Sequence, residues 1–331
     1  MDTDVYESIT QNTAEVVTDE ETREFSDSPD QKRAYVGYEP SGVLHVGHML
    51  TANKLIELQS VGVNIVVLLA DVHAYLNGKG TFAEIRETAS QMREQFIAYG
   101  LDPDQTEFIL GSSFQFDEEY ALDLHALEAE TSLARSKRAM AAIKGDDTAT
   151  VAHAVYPLMQ ALDIVYLDID LAIGGTEQRK VHMLARDTLP NIDADAPICL
   201  HTPLIADLTT GIGKMSSSSG VSISMEDDTT TLTEKIESAY CPPTANPNPT
   251  GDGESRYNPV LQLFEYHVFP RFGDIVIERR EKHGGNLSYD TYDQLESDLE
   301  SGDLHPADAK EALATYLDEL IEPGRAKIRD Q

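Results

Sequence analysis

From Ile65 to Leu69 every residue is aliphatic, and most are β-branched. With its flank from Val63, this run predicts a strand covered on both faces, as the inner strands of parallel sheets are. The surrounding sequence has the same grammar. A strand over Ala34–Tyr38 is followed by the turn Glu39-Pro40-Ser41-Gly42 and a helix from about His45 to Leu58, and a further strand runs from Thr106 to Leu110. After helical sequence between Asp117 and Asp147, the alternation resumes with helix Val151–Tyr166, strand Asp170–Ile173, the Gly174-Gly175 turn, helix Glu177–Thr188 and strand Cys199–Ile205. The pattern predicts an α/β fold, a doubly wound parallel sheet interrupted by a helical insertion.

A chain of 331 residues is long for one core and fits two domains. The expected organisation is an acidic helical segment over 1–32, the α/β domain over 33–207 with its insertion at about 117–147, a loop and linker over 208–230, and a helical domain over 231–331. In the last, Leu313, Tyr316, Leu317 and Leu320 form one apolar stripe on a helix from Asp308 to Glu319. No stretch has the roughly 20 apolar residues of a membrane span, and the amino terminus reads as no leader, so a cytoplasmic protein without membrane contact is expected. Cys199 and Cys241 lack disulfide or metal-ligand spacing, and no HExxH or CxxC motif is present, so no metal site is expected. The 25 basic and 58 acidic residues give a net charge of −33. That argues against a basic nucleic-acid footprint. With 41% hydrophobic residues it does not argue for disorder. It fits a very salty cytoplasm, where a Debye length of roughly 3 Å screens self-repulsion and carboxylates keep the surface hydrated.

Two short segments carry chemistry. His45-Val46-Gly47-His48 opens a helix just after a strand, where open α/β sheets present free N–H groups and partial positive charge to ligands. Its histidines, three residues apart, project to one side, and Gly47 allows close approach to the backbone. Two imidazoles so placed can donate hydrogen bonds to an α-phosphate as it becomes pentacoordinate. Alone, the segment also describes a capping or surface histidine. The second segment, Lys214-Met215-Ser216-Ser217-Ser218, lies among Gly211, Gly213 and Gly220. An ammonium there can follow a leaving pyrophosphate and stabilise charge that develops only in the transition state. A Ser-rich loop is usually a linker, but the two segments together specify ATP activation.

On helix Val151–Tyr166 the polar residues Tyr156, Gln160 and Asp163 recur at i, i+4 and i+7, so they share a face. Either that face lines a polar site, with Gln178 pointing to it from the next strand end, or it is the solvent side of the helix.

The two ATP segments are similar to the HIGH and KMSKS motifs of class I aminoacyl-tRNA synthetases. The runs Tyr156–Asp163 and Gly174–Lys180 resemble those of the archaeal and eukaryotic tyrosyl-tRNA synthetases. The resemblance extends over residues 33–331 and implies a Rossmann-like catalytic domain with a helical anticodon-binding domain. It implies that L-tyrosine and ATP, with Mg2+, give tyrosyl-adenylate and pyrophosphate, and that the tyrosyl group passes to the 3′ end of tRNA(Tyr). It makes His45, His48 and Lys214 catalytic, with Gly47, Met215, Ser216 and Ser217 as further ATP contacts. Tyr35 and Asp163 match residues on the phenolic hydroxyl; phenylalanine would leave that carboxylate unsatisfied. Tyr156, Gln160 and Gln178 match residues on the α-ammonium. Leu68, His73, Phe114 and Gln115 match pocket positions, though their composition suits a core equally. The insertion matches a segment that forms a homodimer interface and receives the acceptor stem. Arg138 and Arg179 match contacts to the first acceptor base pair, chemistry that suits Arg although a surface ion pair would too. Asp308 matches the reader of the first anticodon base; the alternative is an Asp that stabilises its helix start. His283 stands where relatives stack an aromatic ring on that base.

One departure stands out. Ser217 replaces the second lysine of KMSKS, leaving a potassium ion or another side chain as the substitute. The rival readings are a tryptophanyl-tRNA synthetase, which Tyr35 with Asp163 disfavours, a non-catalytic synthetase-like RNA-binding protein, which the retained histidines and Lys214 disfavour, and a nucleotidyltransferase, which leaves the carboxyl-terminal domain unexplained.

Overall fold

A computed structural model describes residues 5–144, 150–215, 221–243 and 256–329. Ser216, Ser217, Ser218 and Gly220, and the insertion beyond residue 144, lie outside these described residues. The chain divides into two compact units, Met1–Gly42 with Lys54–Pro203 and Val43–Asn53 with Leu204–Gln331.

The first unit is built on a six-stranded sheet: β1 (Glu15–Val17), β2 (Arg33–Tyr38), β3 (Asn64–Leu69), β4 (Thr106–Leu110), β5 (Leu171–Gly175) and β6 (Ile198–Thr202), in the order β1-β6-β5-β2-β3-β4. Pairing is parallel throughout except for β1, which lies antiparallel on β6. The aliphatic run at Ile65–Leu69 is β3, and all five residues are buried. Parallel pairing sends the carboxyl ends of β2 to β6 to one edge of the sheet, where an open α/β fold binds its ligands. In register, Tyr35 pairs with Val66 and Ala172, and Gly37 with Leu68.

The insertion forms helices Glu118–Glu130 and Leu133–Lys144. The first 32 residues differ from their expected helical character. Between helices Val5–Thr10 and Asp19–Ser26 they supply β1, whose three residues are too few for strand periodicity to register. Buried Lys54 donates to the carbonyls of Ser8 and Gln11 at 3.1 and 2.6 Å and so caps the first of these helices.

The second unit gathers helix Thr229–Glu237, the hairpin of β7 (Ile275–Ile277) and β8 (Leu287–Tyr289), and helices Tyr292–Ser301 and Pro306–Arg329. Of the expected stripe, Leu313, Leu317 and Leu320 are buried, and the Tyr316 hydroxyl bonds the backbone of Val276. The helix extends ten residues past the expected Glu319, through Pro323, to Arg329. His45-Val46-Gly47-His48, expected within the α/β domain, groups with this second unit. No described helix is long and apolar enough to cross a membrane.

Candidate active site

In the first unit the face carrying Tyr156, Gln160 and Asp163 is turned inward: Tyr156 and Asp163 are buried and Gln160 is half-buried. The solvent-face alternative is therefore excluded. Asp163 is 0% exposed. Its Oδ1 accepts from Gln115 Nε2 at 2.7 Å and from the Tyr120 hydroxyl at 2.8 Å, while Oδ2 has no hydrogen-bond partner. His73 Nε2 lies 3.9 Å from Oδ2, beyond hydrogen-bond reach. Burial pushes the Asp163 carboxyl up to about 7, against the opposing pull of the Gln115 and Tyr120 bonds. Burial also brings the His73 imidazole down to about 4, so it is neutral at pH 7.

The Tyr35 phenol, 1% exposed, is raised by burial and by the neighbouring Asp163 charge, and it is hydrogen-bonded with Gln160. Two residues along the same face of β2, Gly37 is solvent-exposed although it belongs to an inner strand. A Cβ there would meet only Leu68 and the Tyr35 ring, both at an unstrained 3.7 Å. The sheet is thus open above Tyr35, beside a buried carboxylate oxygen in want of a donor. Unsatisfied buried acceptors are rare and call for a ligand or water.

The remaining predicted residues neighbour members of this group. Leu68 and His73 are buried, and the His73 ring meets Tyr156 edge-on at 4.4 Å. Phe114 packs against Tyr120 at 5.7 Å. Gln160 Nε2 donates to Gln178 Oε1 at 3.2 Å. Gly174 is required here, since a Cβ would stand 2.8 Å from Gln178 Cγ. Sequence reasoning missed Glu39, which accepts from the Tyr156 hydroxyl at 2.7 Å and from Asn77, and Gly37. It also missed Tyr120, the insertion's contribution to the site, which alone on an acidic helix gives no periodic signal.

In the second unit, the rings of His45 and His48 stack with centroids 3.8 Å apart. His45 Nδ1 accepts the Gly47 N–H at 3.1 Å, and His48 Nδ1 accepts the His45 N–H at 3.4 Å. These bonds assign the proton of each neutral ring to Nε2. Burial and the Lys214 ammonium bring His45 down to about 4; burial and His45 hold His48 well below its usual value. Both are therefore neutral N–H donors at pH 7. Gly47 has a use besides the expected ligand approach: a Cβ would sit 2.9 Å from the His45 ring. The segment is pinned by an antiparallel bridge between His45 and Ser224, with Val46 N donating to Ile223 O at 3.0 Å and Met225 N to Leu44 O at 2.9 Å.

Lys214 is exposed, and Met215 N donates to Ile205 O at 2.7 Å. Gly211, at φ +70°, could not be replaced, because a Cβ would lie 2.4 Å from the Tyr257 carbonyl. Ser216 and Ser217 fall outside the described residues.

The expected RNA contacts fall on four different elements. Arg138 is exposed on helix Leu133–Lys144. Arg179 is held in a two-point pair by Glu15 of β1, at 2.6 and 2.8 Å, and Glu15 also accepts from His201 Nδ1 at 3.1 Å. His283 is exposed on the short turn Glu281–His283. Asp308 lies in the first turn of the last helix with Arg279 NH1 4.0 Å away, a neighbour the sequence did not suggest.

The profile of the class I tRNA synthetases (W and Y) matches residues 29–322. The chain is 67% identical over 327 residues to the tyrosine–tRNA ligase of Halorubrum lacusprofundi, covering 99% of this chain and 100% of that protein. It is 64% identical over 325 residues to that of Halobacterium salinarum, covering 98% of each. Among solved structures, it is similar to tyrosyl-tRNA synthetase of Archaeoglobus fulgidus complexed with L-tyrosine, with TM-score 0.91, 46% identity and 98% of each chain covered.

Proposed function

Because the chain belongs to the class I tRNA synthetases of the tryptophan and tyrosine group, we infer that it is a tyrosine–tRNA ligase. It condenses L-tyrosine with ATP to tyrosyl-adenylate and pyrophosphate, then passes the tyrosyl group to the 3′ end of tRNA(Tyr). The observation that carries the choice of amino acid is the buried, unpartnered Oδ2 of Asp163. With Oδ1 already taken by Gln115 and Tyr120, Oδ2 is left to accept a phenolic O–H. Phenylalanine would leave it unsatisfied. Tyr35 adds a second polar contact to the hydroxyl, Gly37 leaves room for the ring, and Tyr156, Gln160 and Gln178 offer oxygens to the α-ammonium. Glu39, bonded to Tyr156, adds a negative charge suited to the same ammonium.

In the first step a carboxylate oxygen of tyrosine attacks the α-phosphorus of ATP and pyrophosphate leaves. His45 and His48 donate from Nε2 to the α-phosphate oxygens without giving up protons. Lys214 neutralises the leaving pyrophosphate. Gly47, which also leaves room for the His45 ring, joins Met215, Ser216 and Ser217 in completing the ATP contacts. Mg2+ would come with the ATP phosphates, which suits its preference for phosphate and water oxygens, and K+ or another side chain would supply the positive charge that Ser217 lacks.

In the second step Arg138 and Arg179 meet the acceptor end, Arg179 after exchanging Glu15 for RNA, and Asp308 and His283 meet the anticodon. We assign residues 33–207 with the loop of 208–230, which draw on both units, to catalysis, the helices of residues 231–331 to the anticodon, and the insertion to a homodimer interface. The setting is a cytoplasm of high potassium, in keeping with the net charge of −33 and the halophile relatives.

The test is amino-acid-dependent exchange of pyrophosphate into ATP, in concentrated potassium chloride, with all twenty amino acids. Exchange is expected with tyrosine. Exchange with tryptophan alone, or with none, would overturn the reading.

A further inference from the structure

Outside both ATP segments, one ion pair is built into the mount of the catalytic histidines. Lys235 lies in the last turn of helix Thr229–Glu237. Its ammonium donates to the Ser222 carbonyl at 2.7 Å and to Asp227 Oδ1 and Oδ2 at 2.6 and 2.7 Å. Asp227 Oδ2 also accepts the Ser224 N–H at 2.9 Å, and the Asp227 N–H returns to the Ser224 carbonyl at 3.1 Å. Little of the pair meets water: the Asp227 side chain is 8% exposed and that of Lys235 21%. Ser222, Ser224 and Asp227 thus form one clamped turn. That turn carries the bridge to His45 and the Ile223 carbonyl that receives the Val46 N–H.

The geometry points to Asp227 and Lys235 as a positioning pair for adenylate formation. The three protons of the ammonium meet three protein oxygens, so Lys235 is spent on the protein and is not the cation that stands in for the missing motif lysine. Its effect passes through the clamped turn to the backbone of His45 and Val46, and so to the direction in which the two imidazole Nε2–H groups point. Catalytic donors must be held within fractions of an ångström, and misplacement costs rate before it costs affinity. The Coulombic part of the pair is modest at partial exposure. What matters is that the ammonium gathers a carbonyl and a carboxylate from opposite ends of the turn. The inference rests on the assignment of His45 and His48 to the α-phosphate.

The test uses the full chain in the salt that supports wild-type exchange, with Lys235→Met and Lys235→Arg. For Lys235→Met, kcat of tyrosine-dependent exchange is expected to fall roughly 10- to 100-fold, with KM for tyrosine within about twofold of wild type. Lys235→Arg, which keeps the charge and several donors, should recover most of the loss. In imidazole 1H–15N spectra the His45 and His48 signals should shift in Lys235→Met, while those of His73 and His182 stay in place. An unchanged rate with unmoved signals overturns the positioning role. So does displacement of all four histidines together, which would mark general loosening. Shifted His45 and His48 signals with an unchanged rate would overturn the assignment of those histidines to the α-phosphate, and the positioning role with it. Absence of wild-type exchange with tyrosine would be failure of the functional reading itself.

Discussion

The two polar sites solve opposite problems with opposite protonation chemistry. In the α/β unit the working group is a fully buried carboxylate brought to about 7 by its surroundings, with one oxygen satisfied by the protein and one left open. In the second unit the half-buried groups are imidazoles kept neutral, and the full charge is placed on exposed Lys214. The first arrangement suits discrimination. A neutral phenol is recognised by its hydrogen bonds, above all the one to Oδ2, whose absence is costly at a buried acceptor. The second suits a transient charge, because neutral donors already in place stabilise developing negative charge without waiting for a proton. Selectivity and rate should therefore respond to different substitutions and to different pH ranges.

The largest break in that separation would come from Lys214→Ala. It is expected to lower kcat of pyrophosphate exchange by about 100- to 1000-fold with the tyrosine KM nearly unchanged; a KM effect of similar size would merge the two sites. Asp163→Asn should do the converse, reducing the preference for tyrosine over phenylalanine about 100-fold, read from the ratio of kcat/KM values in the same assay.

The pH profile sharpens the contrast further. The Asp163 carboxyl is raised to about 7, so it is ionised and accepting above that pH and increasingly protonated below it. The tyrosine KM should rise about tenfold from pH 8 to pH 6. Over the same interval kcat should stay level, since His45, at about 4, is neutral throughout. A level KM would show that the carboxyl titrates elsewhere. The smallest expected effect is that of Tyr120→Phe. Its hydroxyl helps hold the Asp163 charge, so its loss should move the KM step to higher pH and raise KM at pH 7 about threefold.

Much of the frame was legible because burial on both faces and strand-helix alternation are local signals, as β3 illustrates. The i, i+4, i+7 recurrence put Tyr156, Gln160 and Asp163 on one face for the same reason, and the structure turned that face inward. What stayed hidden depends on contacts between residues distant in the chain. Tyr120 meets Asp163 across 43 positions and Glu39 meets Tyr156 across 117. Gly37 reads as an ordinary strand glycine until its exposure within an inner strand is seen. Glu15 is one acid among many in a chain of this charge; only pairing of β1 with β6 brings it to Arg179 and His201.

That short amino-terminal strand also bears on how the protein survives handling. Without β1, the backbone groups of β6 would face water along a border of the sheet, open to pairing with the same border of another molecule. Proteolytic trimming or engineered deletion past Val17 would remove no residue assigned to tyrosine or ATP. Its first symptom should nevertheless be self-association and loss of soluble material, ahead of any change in catalytic constants, so a shortened amino terminus would be a hazard to purification before it was one to chemistry.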